Sequence, residues 1–263
     1  MLHQERPARG VVKEQDRQRA IRLRLARMET GPSRPGSTAI PTGFAPLDRA
    51  LGAGGLPRGR IIELFGPSSS GKTTLLLQTI AHLQSTGMAA AWIDADRCYD
   101  PAYAALLGVV VERLPVVQPD AAEPALEIAR QLAGSGAVDL LVVDSAAALV
   151  PSLELEAGIG QSALGLHSRV LASGLRKLAG TVAKTGAAVV FLNQTRSRPD
   201  ASGGEAETSA GGPPLKLYAA VRIALFAAGA RQIGFRVLKN KVSEGSQEGR
   251  LEWRRGGGFA KSP

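Results

Sequence analysis

The sequence predicts an α/β protein with a mainly parallel central sheet, helices on both faces of the sheet and an antiparallel extension at one edge. Short apolar runs alternate with longer segments of helical periodicity, as where residues 61–65 precede residues 73–85. Continuous apolar strands of this kind are typical of parallel sheets buried on both faces. Short turns separate the last three strand-like runs, which favours antiparallel pairing. These runs are residues 217–226, 233–242 and 250–253.

The individual elements are predicted in order from periodicity and from helix-breaking residues. Residues 11–29 carry Ile21, Leu25 and Met28 at helical spacing among arginines, which predicts a basic amphipathic helix. Glycines and prolines within residues 30–41 indicate a linker. Residues 195–214 are rich in Gly, Ser and Pro and are predicted to form a long functional loop without regular structure. The core between them is predicted to have strands at 61–65, 89–93, 114–118, 139–143 and 187–192 and helices at 73–85, 101–107, 121–132 and 164–184.

The composition excludes several classes of protein. With 263 residues, of which 44% are hydrophobic and only 4% aromatic, the chain can bury one substantial aliphatic core. The longest apolar stretch, residues 137–150, is interrupted by Asp139 and Asp144, so no membrane span is expected. The charged N-terminus lacks the apolar run of a secretory signal, and we therefore expect a cytoplasmic protein. A single cysteine, Cys98, excludes an internal disulfide and a cysteine-rich metal site. The three histidines are widely spaced and form no metal cluster.

The positive charge is concentrated at the two ends of the chain. The formal net charge is +9, and residues 1–35 and 229–263 each carry a net +5, whereas the residues between them carry a net −1. Basic ends around a neutral centre suit a polyanionic partner, because contacts with phosphates give affinity that does not depend on sequence. A solvated surface that only promotes solubility is the alternative interpretation.

A phosphate-binding loop follows the first predicted strand of the core. Gly66-Pro67-Ser68-Ser69-Ser70-Gly71-Lys72-Thr73 matches G-x-x-x-x-G-K-[ST] between a strand and a helix. Its backbone N–H groups and the following helix N-terminus would face the phosphates, Lys72 would reach the β- and γ-phosphates, and Thr73 would bind Mg²⁺. A glycine-rich turn without a ligand is the alternative. The predicted nucleotide-binding residues here are Gly66, Pro67, Ser68, Ser69, Ser70, Gly71, Lys72, Thr73 and Thr74.

An aspartate ends the strand predicted at residues 139–143. Four apolar residues, 140–143, lead directly into Asp144. A carboxylate at this position is expected to hold a water on the Mg²⁺ of a bound nucleotide. Alone it could equally cap the next helix, and its pairing with the phosphate loop favours the magnesium role.

From about Ala39 to Phe259 the sequence closely resembles the core of bacterial RecA recombinases. The segments that carry the resemblance occur in the family's order and spacing. This similarity implies a RecA-type phosphate-loop ATPase core that polymerises on single-stranded DNA, with ATP between neighbouring protomers. The matching segments are Leu47–Pro57, Gly66–Thr74, Val142–Ser145, Asn193–Arg196 and Lys239–Lys241.

The resemblance assigns further nucleotide-binding residues. It implies that Asp100 and Tyr103 hold the adenine, Tyr103 by stacking. Gln194 resembles the family's sensor of the γ-phosphate, which reports loss of that phosphate to the loop that follows. Lys239 and Lys241 resemble the pair that reaches the neighbouring protomer's phosphates. Ordinary surface charges are the alternative for the two lysines.

The resemblance also implies DNA-binding loops and a contact between protomers. Residues 156–164 resemble the first DNA loop and residues 195–212 the second. Residues 1–36 are predicted to be a basic helix and linker that contact the next protomer, and residues 37–263 the ATPase and DNA-binding core. The implied DNA contacts are Arg169, Arg176, Arg196, Gly211 and Gly212.

The sequence departs from the family pattern at several functional positions. Asp96 stands where the family has a glutamate that orients the attacking water, and its side chain is one methylene shorter. We therefore expect ATP binding with slow, DNA-dependent hydrolysis, catalysed by Asp96, Lys72 and Gln194. Ser68 replaces an acidic residue, Leu217 replaces an aromatic one, and the second DNA loop has lost its bulky apolar residues. The sequence stops at Pro263, so the family's C-terminal domain is expected to be absent, with the basic residues 250–261 offering duplex DNA an alternative contact.

Two functions are compatible with these patterns. The first is a recombinase that forms ATP-bound filaments on single-stranded DNA and promotes homologous pairing in DNA repair, with double-stranded DNA as a second partner. The alternative is an accessory paralogue of the DNA-damage response that binds a recombinase filament, a repressor or a polymerase and exchanges few strands itself. The intact phosphate loop, sensor and lysine pair favour the recombinase, because an adaptor would not need them.

Overall fold

The protein is built on one large, mostly parallel sheet. The computed structural model describes residues 38–157, 165–199, 205–244, 247–254 and 257–260, so the helix predicted at residues 11–29 lies outside the described part. The strands are β1 (Ala39–Ile40), β2 (Leu56–Pro57), β3 (Ile61–Gly66), β4 (Ala90–Asp94), β5 (Val116–Val117), β6 (Leu140–Asp144), β7 (Ala188–Pro199), β8 (Glu205–Ser209), β9 (Val221–Gly229), β10 (Gln232–Asn240) and β11 (Glu248–Glu252).

Helices connect most of these strands. The described helices are α1 (Ala45–Ala50), α2 (Lys72–Ser85), α3 (Pro101–Leu106), α4 (Ala122–Gly134), α5 (Ser152–Glu156), α6 (Leu166–Thr185) and α7 (Pro213–Tyr218), with short 3₁₀ helices at Val111–Arg113 and Ala146–Ala148. Within the described ranges, no helix has the length and apolar character that a membrane crossing requires.

The strand order of the main sheet confirms the predicted fold class. The order is β11-β10-β9-β3-β7-β6-β4-β5, and β8 pairs with β7 off this path. All pairs from β9 to β5 are parallel, whereas β9, β10 and β11 pair antiparallel at one edge. Strand β3 therefore lies inside the parallel part, and the phosphate loop that follows it opens at the carboxyl edge of the sheet.

Alternate residues of the strands feed two apolar cores, one on each face of the sheet. Ile62 and Leu64 join the core that contains α2, whereas Ile61 joins the core under α4 and α6. Successive strand side chains point to opposite faces, so a continuous apolar run supplies both cores at once. This explains why the buried strands read as unbroken apolar segments.

The structure corrects the prediction that residues 195–214 lack regular structure. Strand β7 continues to Pro199 and pairs antiparallel with β8, with Thr195 opposite Ser209. The segment is therefore largely a two-stranded ribbon, which we call the β7–β8 ribbon; residues 200–204 lie outside the described residues. The prediction from its Gly, Ser and Pro content was wrong, because pairing with a partner strand, and not local composition, determines its structure.

The strand predicted at residues 217–226 begins too early. Residues 213–218 form α7, and β9 begins only at Val221. Prolines occupy the first positions of α7, where a missing N–H costs nothing and the fixed φ suits a helix. The apolar residues Leu215 and Leu217 thus belong to a helix of six residues that precedes the strand.

Candidate nucleotide and nucleic-acid site

The phosphate loop connects β3 to α2, as its sequence predicts. Gly71 precedes the helix with φ of +84°, in the left-handed region that favours glycine, and provides no side chain to cap the first N–H groups of α2. The Nζ of Lys72 folds back onto the loop and donates to the carbonyls of Gly66 at 3.0 Å and Pro67 at 2.7 Å. An uncapped helix N-terminus beside an ammonium group suits a phosphate ligand.

Carboxylates at and just beyond the ends of two neighbouring strands, β6 and β4, lie beside the loop. The hydroxyl of Thr73 donates to Oδ2 of Asp144 at 3.2 Å, and the hydroxyl of Ser145 donates to Oδ1 of Asp96 at 3.1 Å. Asp144 ends β6 next to Asp94, the last residue of β4. The fold thus brings Thr73, Asp96 and Asp144 together, although 71 positions separate Thr73 from Asp144.

These oxygen donors fit Mg²⁺, which prefers hard oxygen ligands and keeps several waters when it is bound with nucleotide phosphates. Among the described residues, no group of three or more His, Cys, Asp and Glu could hold a metal ion. A hydroxyl and one or two carboxylates suit an ion that the nucleotide itself helps to bind. The residues that would hold it are Thr73 and Asp144.

The electrostatic environment of Asp144 makes its ionisation depend on pH near neutrality. Burial, together with repulsion from the carboxylate of Asp96, raises the pKa of Asp144 to about 6. Burial also lowers the pKa of Lys72, although Asp144 and Asp96 oppose that shift. The ammonium and the carboxylates are thus held close together in a partly buried site.

We expect Asp144→Asn to stabilise the nucleotide-free protein at neutral pH and to have little effect on stability below pH 4. The pKa of Asp144 is about 6 in the folded chain against a reference of 3.8, so the folded state binds more protons between these values. The free energy of unfolding therefore falls as pH rises from 4 to 6, because Asp144 must ionise in a buried place. The loss persists above pH 6. At pH 7 the gain should be on the order of 2 kcal/mol. Urea denaturation from pH 4 to 8, without nucleotide or Mg²⁺, checks this; a gain independent of pH would contradict it.

The sequence reasoning missed Asp94, which shapes the segment carrying Asp96. Its side chain is buried and accepts hydrogen bonds from the backbone of Cys98 at 3.0 Å and Tyr99 at 3.1 Å, and from the side chain of Gln118 at 2.8 Å. These bonds fold the chain back after β4. The signal was available in the sequence, because an acidic residue at the end of a buried strand is seldom left without partners.

The predicted adenine contacts lie at the N-terminus of α3, close to the phosphate loop. The carboxylate of Asp100 caps α3 by accepting from the backbone of Ala102 at 2.8 Å and Tyr103 at 3.2 Å. The hydroxyl of Tyr103 forms a 2.8 Å hydrogen bond with that of Thr74 on α2. Capping by Asp100 is a structural role that the sequence reasoning did not assign, and the bond to Thr74 fixes the Tyr103 ring beside the loop.

Gln194 lies next to the phosphate loop in the sheet, where its partner in the parallel register of β3 and β7 is Gly66. Its side chain is exposed. The preceding residue, Asn193, is buried and accepts a hydrogen bond from the Gln194 backbone N–H at 2.9 Å. The amide of Asn193 donates to Glu63 and to the carbonyl of Ala210, both at 2.9 Å. Asn193 therefore joins the sensor position to β3 and to the end of the β7–β8 ribbon.

Arg222 completes this buried network. Its Nε donates to Glu63 at 2.5 Å, a second nitrogen donates to the hydroxyl of Ser209 at 3.2 Å, and the guanidinium lies 4.8 Å from the centre of the Phe65 ring. The Glu63 side chain is fully buried. The network of Glu63, Asn193, Ser209 and Arg222 could not be predicted from the sequence, because its members are far apart along the chain.

We expect Arg222→Lys to lower the free energy of unfolding by about 1–2 kcal/mol. Lysine keeps the charge beside Glu63, but its single nitrogen cannot also reach Ser209 or stack on Phe65 with a planar face. The matched control is Arg236→Lys, because the ion pair of Arg236 with Glu248 is exposed and should change stability by less than about 0.5 kcal/mol. Equal losses in urea denaturation of the two variants would contradict the importance of the buried network.

The two candidate lysines lie at the end of β10 and just beyond it. The Nζ of Lys239 donates to the carbonyls of Lys216 at 2.6 Å and Leu217 at 3.2 Å, near the C-terminus of α7. Burial and the nearby Lys241 and Arg222 lower the pKa of Lys239. Lys241 is exposed. The structure thus places Lys239 against its own chain, while Lys241 faces solvent.

Four of the five candidate DNA contacts lie around the first turn of α6 and the start of α7. Gly211 and Gly212 lie so close to α6 that a Cβ at Gly211 would be 3.2 Å from His167, and one at Gly212 would be 2.9 Å from the hydroxyl of Ser168. Arg196 and the two glycines line one groove, together with Lys216. Arg169 is exposed on α6. Backbone N–H groups and guanidiniums arranged in this way suit phosphates.

Arg176 lies two turns further along α6. Its Nε donates to the hydroxyl of Tyr218 at 3.3 Å, which connects α6 to α7. Seven positions separate it from Arg169, so both arginines lie on one helix face. Residues 158–164 of the predicted first DNA loop lie outside the described residues.

The fold and the site define a nucleotide-binding protein of the phosphate-loop class. The loop follows an inner parallel strand, a hydroxyl and a carboxylate lie beside it, and Gln194 lies next to it in the sheet. The family model described as the RecA N-terminal domain matches residues 26–258. The chain therefore belongs to the RecA family, as its sequence indicated.

Curated relatives cover most of the chain at high identity. Protein RecA of Rhodospirillum centenum is 50% identical over 214 residues, which are 78% of this chain and 60% of the relative. Protein RecA of Gloeobacter violaceus is 45% identical over 257 residues, covering 90% of this chain and 69% of the relative. Protein RecA of Geobacter sulfurreducens is 46% identical over 250 residues, covering 87% of this chain and 74% of the relative. The chain thus spans 60 to 74% of the length of these relatives.

Proposed function

We propose that the protein is an ATP-dependent recombinase that forms filaments on single-stranded DNA and promotes homologous pairing and strand exchange in DNA repair. One observation carries this proposal. Strand β7 places Gln194 beside Gly66 of the phosphate loop and then continues into the β7–β8 ribbon, where Arg196 borders the groove beside Gly211 and Gly212. The nucleotide site and the candidate DNA surface are thus joined by one stretch of backbone. The named relatives, all Protein RecA, support the same function.

ATP and Mg²⁺ are the proposed ligands of the nucleotide site. The loop N–H groups and Lys72 would bind the phosphates, Thr73 and Asp144 would hold the metal, and Asp100 and Tyr103 would hold the base. Mg²⁺ supplies charge neutralisation at the phosphates when it is bound. Asp96, at the edge of the site, would accept a proton from the attacking water, and Gln194 would bind the γ-phosphate.

Assembly and partners follow from the same proposal. The exposed Lys241, and Lys239 once its Nζ leaves the carbonyls of Lys216 and Leu217, would reach the nucleotide of a neighbouring protomer, so that ATP at the contact between copies favours a helical filament. Residues 1–36 would contact the next protomer, and residues 37–263 would form the core. Single-stranded DNA is the primary partner and double-stranded DNA the second, so we place the protein in the cytoplasm with the chromosome. Repressors or polymerases of the DNA-damage response are further proposed partners.

The test is the rate of ATP hydrolysis with and without oligo(dT), combined with negative-stain electron microscopy. A recombinase should show stimulated hydrolysis and filaments that require both ATP and the oligonucleotide. The absence of both responses would refute the proposal. If the protein instead bound a recombinase filament made by a relative, the accessory function considered above would replace it.

A further inference from the structure

Two aromatic residues close to the end of the chain meet beyond β11. Trp253 and Phe259 face each other across an antiparallel bridge, and the backbone N–H of Arg254 donates to the carbonyl of Gly258 at 2.9 Å. The ring centres of Trp253 and Phe259 are 4.2 Å apart. We call Trp253, Arg254 and residues 257–260 the aromatic bridge. Phe259 is completely buried and Trp253 is half-buried.

The aromatic bridge lies directly against the phosphate loop. A Cβ at Gly71 would be 2.6 Å from Cζ of Phe259 and 3.2 Å from Cζ2 of Trp253, so the two rings occupy the space beside this glycine. The ring of Phe44 packs edge-on against Phe259 from another side, with centres 6.2 Å apart. The last residue of the loop before α2 is therefore supported by aromatic rings packed in the core.

Hydrogen bonds attach the same segment to the helix that follows the loop. The side-chain amide of Gln78 on α2 is buried, accepts from the backbone N–H of Phe259 at 2.6 Å and donates to its carbonyl at 3.0 Å. This paired arrangement satisfies both polar groups of Phe259 away from water. The aromatic bridge thus holds α2 at two places, Gly71 and Gln78, on the helix whose N-terminus faces the predicted phosphates.

We propose that the aromatic bridge is a positioning element of the nucleotide site, in which Phe259 and Trp253 hold Gly71 and the first turn of α2 in the conformation that binds phosphate. A loop held in its binding conformation loses less conformational entropy when the ligand arrives. Without the rings, Gly71 would sample more conformations, because glycine restricts its own backbone least. The inference rests on the proposed nucleotide binding but not on the proposed binding of DNA.

The main test compares Phe259→Leu with Phe235→Leu. Leucine keeps an apolar side chain but removes the ring from Gly71. Phe235 is equally buried, yet its ring packs against Gly249 on the antiparallel edge, so it controls for the general cost of a truncated core ring. Calorimetric titration with Mg·ADP should give a Kd about tenfold higher for Phe259→Leu and changed less than about twofold for Phe235→Leu. Equal affinities of these two variants and the wild type would overturn the inference.

Tryptophan fluorescence gives a second readout that a purely structural role would not change. The chain has two tryptophans, and Trp92 is completely buried in β4. In a Trp92→Phe variant, the emission of Trp253 should change when Mg·ADP binds, with the Kd found by calorimetry. The change in tryptophan emission on binding of Mg·ADP should be absent when Trp253 is replaced in Trp253→Phe. If the emission of Trp253 were insensitive to saturating Mg·ADP, the bridge would not respond to the site and the inference would fail.

A fallback variant keeps the test decisive. If Phe259→Leu does not fold, Trp253→Leu removes the half-buried ring at a smaller cost to the core and should also weaken Mg·ADP binding. An unchanged Kd there would overturn the inference. A wild-type protein that did not bind Mg·ADP would refute the proposed nucleotide function itself, which distinguishes the two failures.

Discussion

Replacing Lys72 with alanine should lower the rate of ATP hydrolysis about a thousandfold and abolish filament assembly on single-stranded DNA. The ammonium group of Lys72 lies on the loop carbonyls, where it adds its charge to the uncapped N-terminus of α2. A triphosphate brings several negative oxygens into this site, and no other side chain of the loop can neutralise them. Hydrolysis is measured by phosphate release and assembly by electron microscopy.

Lys184→Ala is the control for this prediction. Lys184 is an exposed cation in the last turn of α6, so its loss lowers the net charge equally without changing the loop. That variant should hydrolyse ATP and assemble like the wild type. Normal assembly by Lys72→Ala would show that nucleotide does not govern assembly, and the proposed function would have to be abandoned.

Asp96→Glu should raise the turnover number by up to about a hundredfold without changing the KM for ATP. The carboxylate of Asp96 lies beside Asp144 and accepts from Ser145, at the edge of the predicted Mg²⁺ site. An added methylene carries the carboxylate roughly 1 Å further toward the attacking water, and a misplacement of that size can cost about a hundredfold in rate. A change in the turnover number alone marks a group that acts in the transition state.

Asp120→Glu makes the same chemical change at an exposed ion pair with Arg97 and should leave turnover unchanged. The measurement is steady-state hydrolysis in the presence of oligo(dT), with Mg·ADP affinity as a check that the site is intact. An unchanged or lower turnover in Asp96→Glu, with normal nucleotide affinity, would mean that Asp96 does not orient the water.

The parts of the fold that the sequence predicts well are those determined locally. The motif from Gly66 to Thr73 needs a strand before it and a helix after it, and the structure has β3 and α2 there. Apolar runs with an acidic end, as in β6 and Asp144, likewise reveal a buried strand and its functional edge. The β7–β8 ribbon was missed because the pairing of Thr195 with Ser209 depends on a second strand, which composition does not reveal.

The candidate site, too, contains residues that the sequence predicts and residues that it does not. Residues within the motif could be named from the sequence, whereas those that hold the motif in place could not. Asn193 and Glu63 are 130 positions apart, and Gln78 and Phe259 are 181 positions apart. Such contacts exist only once the chain has folded, because burial selects the partner from all the polar groups that the fold brings within reach.

The continuity of β7 has a mechanical consequence. Gln194 lies beside Gly66, and the very next residue, Thr195, is already paired with Ser209. In the proposed function, a displacement of Gln194 by nucleotide would pass to the β7–β8 ribbon through the backbone itself, without a relay of side chains, because β7 and β8 are joined by hydrogen bonds.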